Sequence, residues 1–106
     1  DFGEKVARKV SQGEAEKGVL VCGTGIGMSI VANKFPGVRA ALAADPYMAK
    51  MAKQHNNANI LVLGGRVSDE HEAREMVATW LDSDFEGGRH QGRLDKITAL
   101  EKELCR

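Results

Sequence analysis

The chain has 106 residues, enough for one domain with a core but few for an enzyme that encloses its substrate. Its 15 basic and 15 acidic side chains cancel, so no overall field favours nucleic acid or a membrane, and any anionic ligand must be held by local groups. The two cysteines, Cys22 and Cys105, indicate no disulfide framework, which favours a reducing cytoplasm. No apolar run approaches membrane-spanning length, and no signal peptide opens the chain.

Helices and strands are predicted to alternate along the chain, with short connections. Apolar residues at four-residue spacing predict an amphipathic first helix, and short continuous apolar runs predict strands that are covered on both faces. Asp45 and Pro46 begin the third helix, and Ser68 is expected to cap the fourth. In chain order the predicted elements are a helix over 2–11, a strand over 18–22, a helix over 28–34, a strand over 38–43, a helix from 45 to about 54, a strand over 59–63, a helix from 68 through 81 and a helix from about 90 to 104.

This alternation predicts parallel strands joined by right-handed crossovers. The expected fold class is α/β, a doubly wound parallel sheet in a Rossmann-like three-layer sandwich, formed by a single domain over residues 1–106. Ligands of such folds bind beyond the carboxyl ends of the strands. Two glycine-rich turns, over 22–27 and 64–66, are expected to meet at that edge.

The turn after the first strand is a candidate anion site. Gly23, Gly25 and Gly27 alternate through it, which lets the backbone approach a ligand, and the following helix directs free N–H groups at the same point. A tight strand-to-helix turn without a ligand accounts for these glycines equally well. The spacing matches neither the dinucleotide fingerprint nor the nucleotide P-loop.

Three other features can carry chemistry. Cys22, at the end of the first strand, is either a small buried hydrophobe or a thiolate favoured by the adjacent helix, acting as base or nucleophile. His55 is the best-placed group that titrates near neutral pH, although its polar neighbourhood can serve only to end a helix. Arg89 and Arg93, four residues apart, form either a phosphate clamp at a helix start or a pair of solvated surface cations.

Motifs spread over nearly the whole chain, in order, carry a resemblance to a known family. They are GVLVCGTGIGMSIVANK from Gly18 to Lys34, GVRAA from Gly37, HNNAN from His55 to Asn59, GGR from Gly64 to Arg66, and EGGRHQGR from Glu86 to Arg93. The sequence resembles the type B ribose-5-phosphate isomerases. The wider family includes allose-6-phosphate isomerases and the two subunits of galactose-6-phosphate isomerase.

The resemblance implies an aldose–ketose isomerase that interconverts ribose 5-phosphate and ribulose 5-phosphate without a metal or cofactor. It implies that Cys22 is the base that moves a proton between C1 and C2 through a cis-enediolate. The Thr24 hydroxyl and the loop amides, including those of Gly23, Gly25 and Gly27, match the groups that stabilise the enediolate.

The same resemblance implies a site shared between the subunits of a homodimer or a dimer of dimers. His55 matches a ring-opening residue supplied by the neighbouring subunit, with Asn56 beside it. Arg66 matches a further phosphate contact across the dimer. The phosphate site itself matches three residues of the last helix: Arg89, His90 and Arg93.

One departure from the family is a missing segment of about forty residues, which in the family forms a strand ending in Asp-His, a helix and a second strand. The absent strand belongs to the middle of the sheet, so we expect exposed apolar edges, poor stability and little activity of the isolated 106-residue chain, and a longer natural protein. Alternatives are a sugar-phosphate-binding domain without turnover and an isomerase of a six-carbon sugar phosphate such as allose 6-phosphate. A redox or nucleotide-binding domain is disfavoured because C-x-x-C and the standard glycine fingerprints are absent.

Overall fold

The computed structural model describes residues 2–104 as three strands and five helices; Asp1, Cys105 and Arg106 lie outside the described residues. The elements follow the predicted alternation, with two helices after the last strand. In chain order they are α1 (Phe2–Ser11), β1 (Gly18–Cys22), α2 (Ile26–Ala32), β2 (Ala40–Ala43), α3 (Pro46–Gln54), β3 (Ile60–Gly64), α4 (Glu70–Asp82) and α5 (Arg89–Leu104).

The three strands are parallel, as predicted, and lie in the order β1-β3-β2. Gly18 pairs with Ile60 at the amino end of the sheet, and Cys22 pairs with Gly64 at its carboxyl end. Every residue of the central strand β3 is buried. Burial of each large apolar side chain of β3 contributes roughly 1.5–3 kcal/mol to folding.

The sheet lies between two helical layers, which confirms the predicted α/β sandwich. One face of the sheet packs against α1 and α2 through Leu20, Ile60 and Val62. The other face packs against α3 and α4 through Leu61 and Leu63. Within residues 2–104, none of the helices combines the length and apolarity needed to cross a bilayer.

The prediction that β1 is covered on both faces is wrong for the part of the chain that the structure describes. Leu20 packs into the core on the α1 side, but Val19 is 39% exposed and Val21 58% exposed. The reason is that β1 lies at an edge of the sheet, and α1 covers only one of its faces. The expectation of exposed apolar side chains at a sheet edge is therefore confirmed.

Several element boundaries differ from the prediction by one or two residues, and two of these differences have clear local reasons. Helix α2 begins at Ile26, two residues early, because Gly25 adopts a left-handed conformation (φ 84°) and serves as its N-cap. Strand β2 begins only at Ala40, because the Arg39 N–H donates to Asn59 Oδ1 over 2.7 Å instead of to the strand ladder.

The cap of α4 also differs, since Asp69 and not Ser68 is the N-cap of this helix. Asp69 Oδ1 accepts the Glu72 N–H over 2.8 Å, and Glu72 Oε1 accepts the Asp69 N–H over 3.4 Å. This reciprocal capping box satisfies two N–H groups that the first turn of a helix leaves without partners.

Candidate active site

The loop that follows β1 holds the sulfur of Cys22 in place. Cys22 is the last residue of β1, and its Sγ accepts a hydrogen bond from the Gly25 N–H over 3.1 Å. The Thr24 hydroxyl oxygen accepts the Ile26 N–H over 3.3 Å at the first residue of α2. One backbone N–H, that of Gly25, therefore holds the sulfur at the start of the loop, and the Thr24 hydroxyl holds the first turn of α2.

Gly25 is required at the centre of this loop for two reasons. Its φ of 84° lies in the left-handed region, where a side chain is strained. In addition, a Cβ at this position would collide with Leu42 Cδ1 and would lie 3.3 Å from the Leu63 carbonyl carbon. The loop conformation that presents an N–H to Cys22 therefore depends on glycine.

The turn after β3 packs directly against this loop, as the shared carboxyl edge predicts. The Gly65 N–H donates to the Cys22 carbonyl over 2.6 Å, and the Arg66 N–H donates to the Gly23 carbonyl over 2.9 Å. A Cβ at Gly64 would lie 2.6 Å from the Thr24 carbonyl oxygen, so the two turns approach more closely than any side chain there would allow.

The side chain of Arg66 lies over Gly23. A Cβ at Gly23 would be 3.5 Å from Arg66 Nε and 3.6 Å from its Cζ. The prediction places Arg66 together with His55 in the site of a neighbouring subunit. In the structure, Arg66 instead lies close to the Cys22 loop of its own chain and apart from His55. Gly27 lies in the first turn of α2 with nothing within 4 Å of the position of a Cβ.

His55 lies at the opposite edge of the sheet from Cys22. It is the C-cap of α3, and the chain from there enters β3 at its amino end through Asn59, whose carbonyl accepts the Gly18 N–H over 2.9 Å. A strand of five residues spans about 13 Å, which separates these two edges. One subunit therefore does not bring Cys22 and His55 together.

At that edge His55 forms a cluster with Glu86 and His90. The two imidazole rings are stacked with centroids 4.2 Å apart and planes 12° from parallel. Glu86 Oε1 lies 3.6 Å from His55 Nε2 and 3.4 Å from His90 Nε2. The sequence predicts no role for Glu86, because no local pattern indicates a contact between two residues that lie so far apart along the chain.

His90 is the buried member of this cluster, only 5% exposed. Burial, together with the positive charge that His55 and Arg89 can carry, lowers the pKa of His90 below its ordinary value. Within residues 2–104 its Nδ1 has no hydrogen-bond partner. His90 was predicted to contact phosphate, but its ring faces His55 and not solvent.

The two arginines of the predicted phosphate clamp are exposed, as such a role needs. Arg89 is the first residue of the 16-residue helix α5, and Arg93 lies one turn further along. Asn56 is exposed beside His55 and lines a different feature, a cavity of about 380 Å³ bordered by Arg39, Glu101 and apolar residues of α5.

His55, Glu86 and His90 each offer one potential metal-ligand atom, and these atoms lie within 4.8 Å of one another. The planes of the two rings are stacked and nearly parallel, so an ion that lies in the plane of one ring cannot also lie in the plane of the other. Coordination of one ion by both histidines would therefore require a ring to turn. The expected independence from metals stays a prediction.

The fold and the loop define a class: a parallel α/β protein with a thiol and backbone amides at the carboxyl edge of its sheet. The chain matches the Ribose/Galactose Isomerase family over residues 1–97 and belongs to it.

Its relatives include a protein of Escherichia coli (strain K12) named ribose-5-phosphate isomerase B. That protein is 46% identical over 101 residues, which cover 95% of this chain and 68% of the relative. A type B ribose 5-phosphate isomerase structure from Trypanosoma cruzi has a TM-score of 0.95 and 50% identity, covering 97% of this chain and 69% of the other. A ribose-5-phosphate isomerase B structure from Mycoplasma genitalium, with bound ribulose-5-phosphate, has a TM-score of 0.93 and 46% identity, covering 97% and 68%. The relatives are aldose–ketose isomerases, and the chain spans about two thirds of their length.

Proposed function

We propose that the protein containing this chain isomerises ribose 5-phosphate to ribulose 5-phosphate through a cis-enediolate, with Cys22 as the base. The observation that most supports this is the position of the Cys22 sulfur, which accepts the Gly25 N–H over 3.1 Å at the carboxyl edge of the sheet. Ligands of parallel α/β folds bind at this edge. The names of the relatives support the same reaction.

In the proposed reaction the Cys22 thiolate takes the proton from C2 of the open-chain aldose. The electron pair forms the C1–C2 double bond, and negative charge develops on O1. Amides of the loop and the Thr24 hydroxyl stabilise this enediolate, and a proton moves from O2 to O1. The thiol then returns its proton to C1, which gives the ketose and restores the thiolate. The cycle consumes no oxidant, reductant or metal.

Cys22 and His55 lie at opposite edges of the sheet, so one chain does not bring them together. This separation supports a site that is shared between two subunits of a dimer or a dimer of dimers. Cys22 and Arg66 would come from one subunit, and His55 from its partner. Arg89 and Arg93 lie at the same edge of the sheet as His55, because His90 between them stacks on its ring. They would clamp the phosphate, the part of the substrate that needs charge-assisted contacts. We also infer a cytoplasmic location, because the chain's two cysteines suit a reducing compartment.

Substitution of Cys22 in the full-length protein tests this proposal. Cys22→Ala should abolish turnover of ribose 5-phosphate and leave its binding nearly unchanged, and Cys22→Ser should be little better because a hydroxyl is a far poorer base. Cys105→Ser, which removes the chain's other thiol, is the matched control and should keep full activity. Retention of most activity by the alanine variant would remove Cys22 from the mechanism.

The same proteins separate the competing functions. Assays with ribose 5-phosphate and allose 6-phosphate identify the preferred sugar. In deuterated water, the carbon that receives the transferred proton should acquire deuterium, because a thiol proton exchanges with solvent before its return. Binding of a sugar phosphate by the intact protein without isomerisation of either sugar would instead indicate a binding domain.

A further inference from the structure

Glu86 is tied by its backbone to the helix end that presents His55. The Glu86 N–H donates to the carbonyl of Gln54, the last residue of α3, over 3.0 Å. The chain then turns through Gly87 and Gly88, both with positive φ, and enters α5. A main-chain contact therefore holds the backbone of Glu86 beside the helix end that carries His55.

The His55 ring is restrained from two directions. The buried ring of His90 covers one of its faces at a centroid distance of 4.2 Å, and the Glu86 carboxylate lies 3.6 Å from its Nε2. The exposed fractions of the side chains distinguish the two histidines: 37% for His55 and 7% for His90, with 50% for Glu86. His55 is thus the imidazole that a ligand can reach, and His90 lies beneath it.

We propose that Glu86 is a positioning residue that holds His55 for opening the sugar ring, with the stacked ring of His90 as its support. This rests on the proposed function, in which His55 acts on the cyclic substrate. Ring opening moves a proton from the O1 hydroxyl to the ring oxygen O4, while the C1–O4 bond breaks and the C1=O bond forms. A histidine that carries this proton becomes an imidazolium, and a carboxylate fixed beside it stabilises that charge.

Glu86 Oε1 lies at similar distances from both rings, 3.6 Å from His55 Nε2 and 3.4 Å from His90 Nε2, and burial distinguishes the two histidines. Because burial lowers the pKa of His90, its ring stays neutral near pH 7 and does not compete as a cation for Glu86. Arg89 and Arg93 are exposed and lie in the first two turns of α5, on either side of His90 in the sequence.

The experiment separates ring opening from proton transfer, because ribose 5-phosphate is mainly a closed ring whereas ribulose 5-phosphate cannot form a furanose and is open. In the full-length protein, Glu86→Gln should lower kcat/KM for ribose 5-phosphate about tenfold to 100-fold, as misplacement of a catalytic group does. The rate at which the variant exchanges the C1 proton of ribulose 5-phosphate for solvent deuterium should change by less than about threefold, because this exchange needs the proton transfer but no ring step. With excess variant, the forward rate should level off at the rate of spontaneous ring opening.

Glu75→Gln is the matched control, because Glu75 lies 3.9 Å from the exposed His71 on α4, and the change should affect neither kcat/KM nor the rate of C1 proton exchange. His90→Phe keeps a ring beneath His55 and should retain more forward activity than His90→Ala, with both variants checked for folding by circular dichroism. For Glu86→Gln, a loss in the rate of C1 proton exchange as large as the loss in kcat/KM for ribose 5-phosphate, or no loss in either, would overturn the positioning role. A wild-type protein that isomerises neither sugar would instead contradict the proposed function itself.

Discussion

The backbone N–H of Gly25 lies 3.1 Å from the sulfur of Cys22, and the same glycine is the N-cap of α2. One residue thus ends the turn after β1, begins the next helix and supplies a donor to the proposed base. A change of its backbone conformation would disturb all three together.

Gly25→Ala should therefore lower stability and activity together. We expect a loss of about 1–3 kcal/mol in the free energy of unfolding from the left-handed φ, with a further loss from the collision with Leu42. Gly13→Ala separates the two causes, because Gly13 has φ 80° with nothing within 4 Å of a Cβ. Gly27→Ala lacks both problems and should not lower stability. Urea unfolding measures all three, and equal effects of the changes at Gly25 and Gly13 would exclude the collision.

Loss of either proposed phosphate ligand should weaken binding and leave the chemistry intact. Arg89→Ala or Arg93→Ala removes a charge-assisted contact of roughly 1.5–3 kcal/mol, which corresponds to a KM for ribose 5-phosphate raised about 10- to 150-fold. Arg74→Ala is the control, since Arg74 pairs with Glu70 on the exposed face of α4. Steady-state kinetics that show a sharp fall in kcat at unchanged KM would contradict the phosphate assignment.

Mixing two inactive variants should restore activity if the site is shared. After subunit exchange, Cys22→Ala and His55→Ala chains should regain about one quarter of the wild-type activity, because half of the dimers are mixed and each has one complete site. The control pairs Cys22→Ala with Arg66→Ala. Cys22 and Arg66 would enter each site from the same subunit, so every site in a mixed dimer lacks one of them. Mixing should therefore give no more than the average activity of the two variants. Absence of recovery in the first mixture, after exchange is verified, would count against a shared site.

His90 should make the folded protein less stable in mild acid. Its pKa is lowered in the folded state, so below the ordinary value of about 6.5 the unfolded chain binds a proton that the folded chain excludes. The free energy of unfolding should therefore fall as the pH drops below about 6.5, whereas above it His90 makes no difference. Urea unfolding of wild type and His90→Phe across this range measures the effect. A pH dependence that is unchanged in the variant would assign it to other groups.

Local sequence signals predict the helices and strands of the fold, but they do not predict the order of the strands in the sheet. Helix α1 and strand β1 have the predicted bounds, because apolar spacing and glycine breaks fix them locally. The order β1-β3-β2 depends on how the helices pack on the two faces, which no short pattern encodes. For this reason the apolar run of β1 predicts a strand covered on both faces, although Val21 is 58% exposed.

The candidate site divides in the same way. The glycine turn and the thiol are adjacent in sequence, so Cys22 and Gly25 could be placed together before the fold was known. The contact between His55 and Glu86 spans 31 positions and depends on a hydrogen bond from the loop before α5 to the end of α3. Likewise, the position of Arg66 over Gly23 depends on the pairing of β3 with β1.

The separation of Cys22 and His55 on opposite edges of the sheet has a consequence for inheritance. With the site shared, a faulty gene copy that alters His55 damages the thiol site of whichever chain its product joins, while its own thiol remains usable. Two faulty alleles, one altered at each edge, would then complement each other in the same cell, although neither gives activity alone. Alleles of this one gene would fall into two complementation groups, divided according to the edge of the sheet on which each altered residue lies.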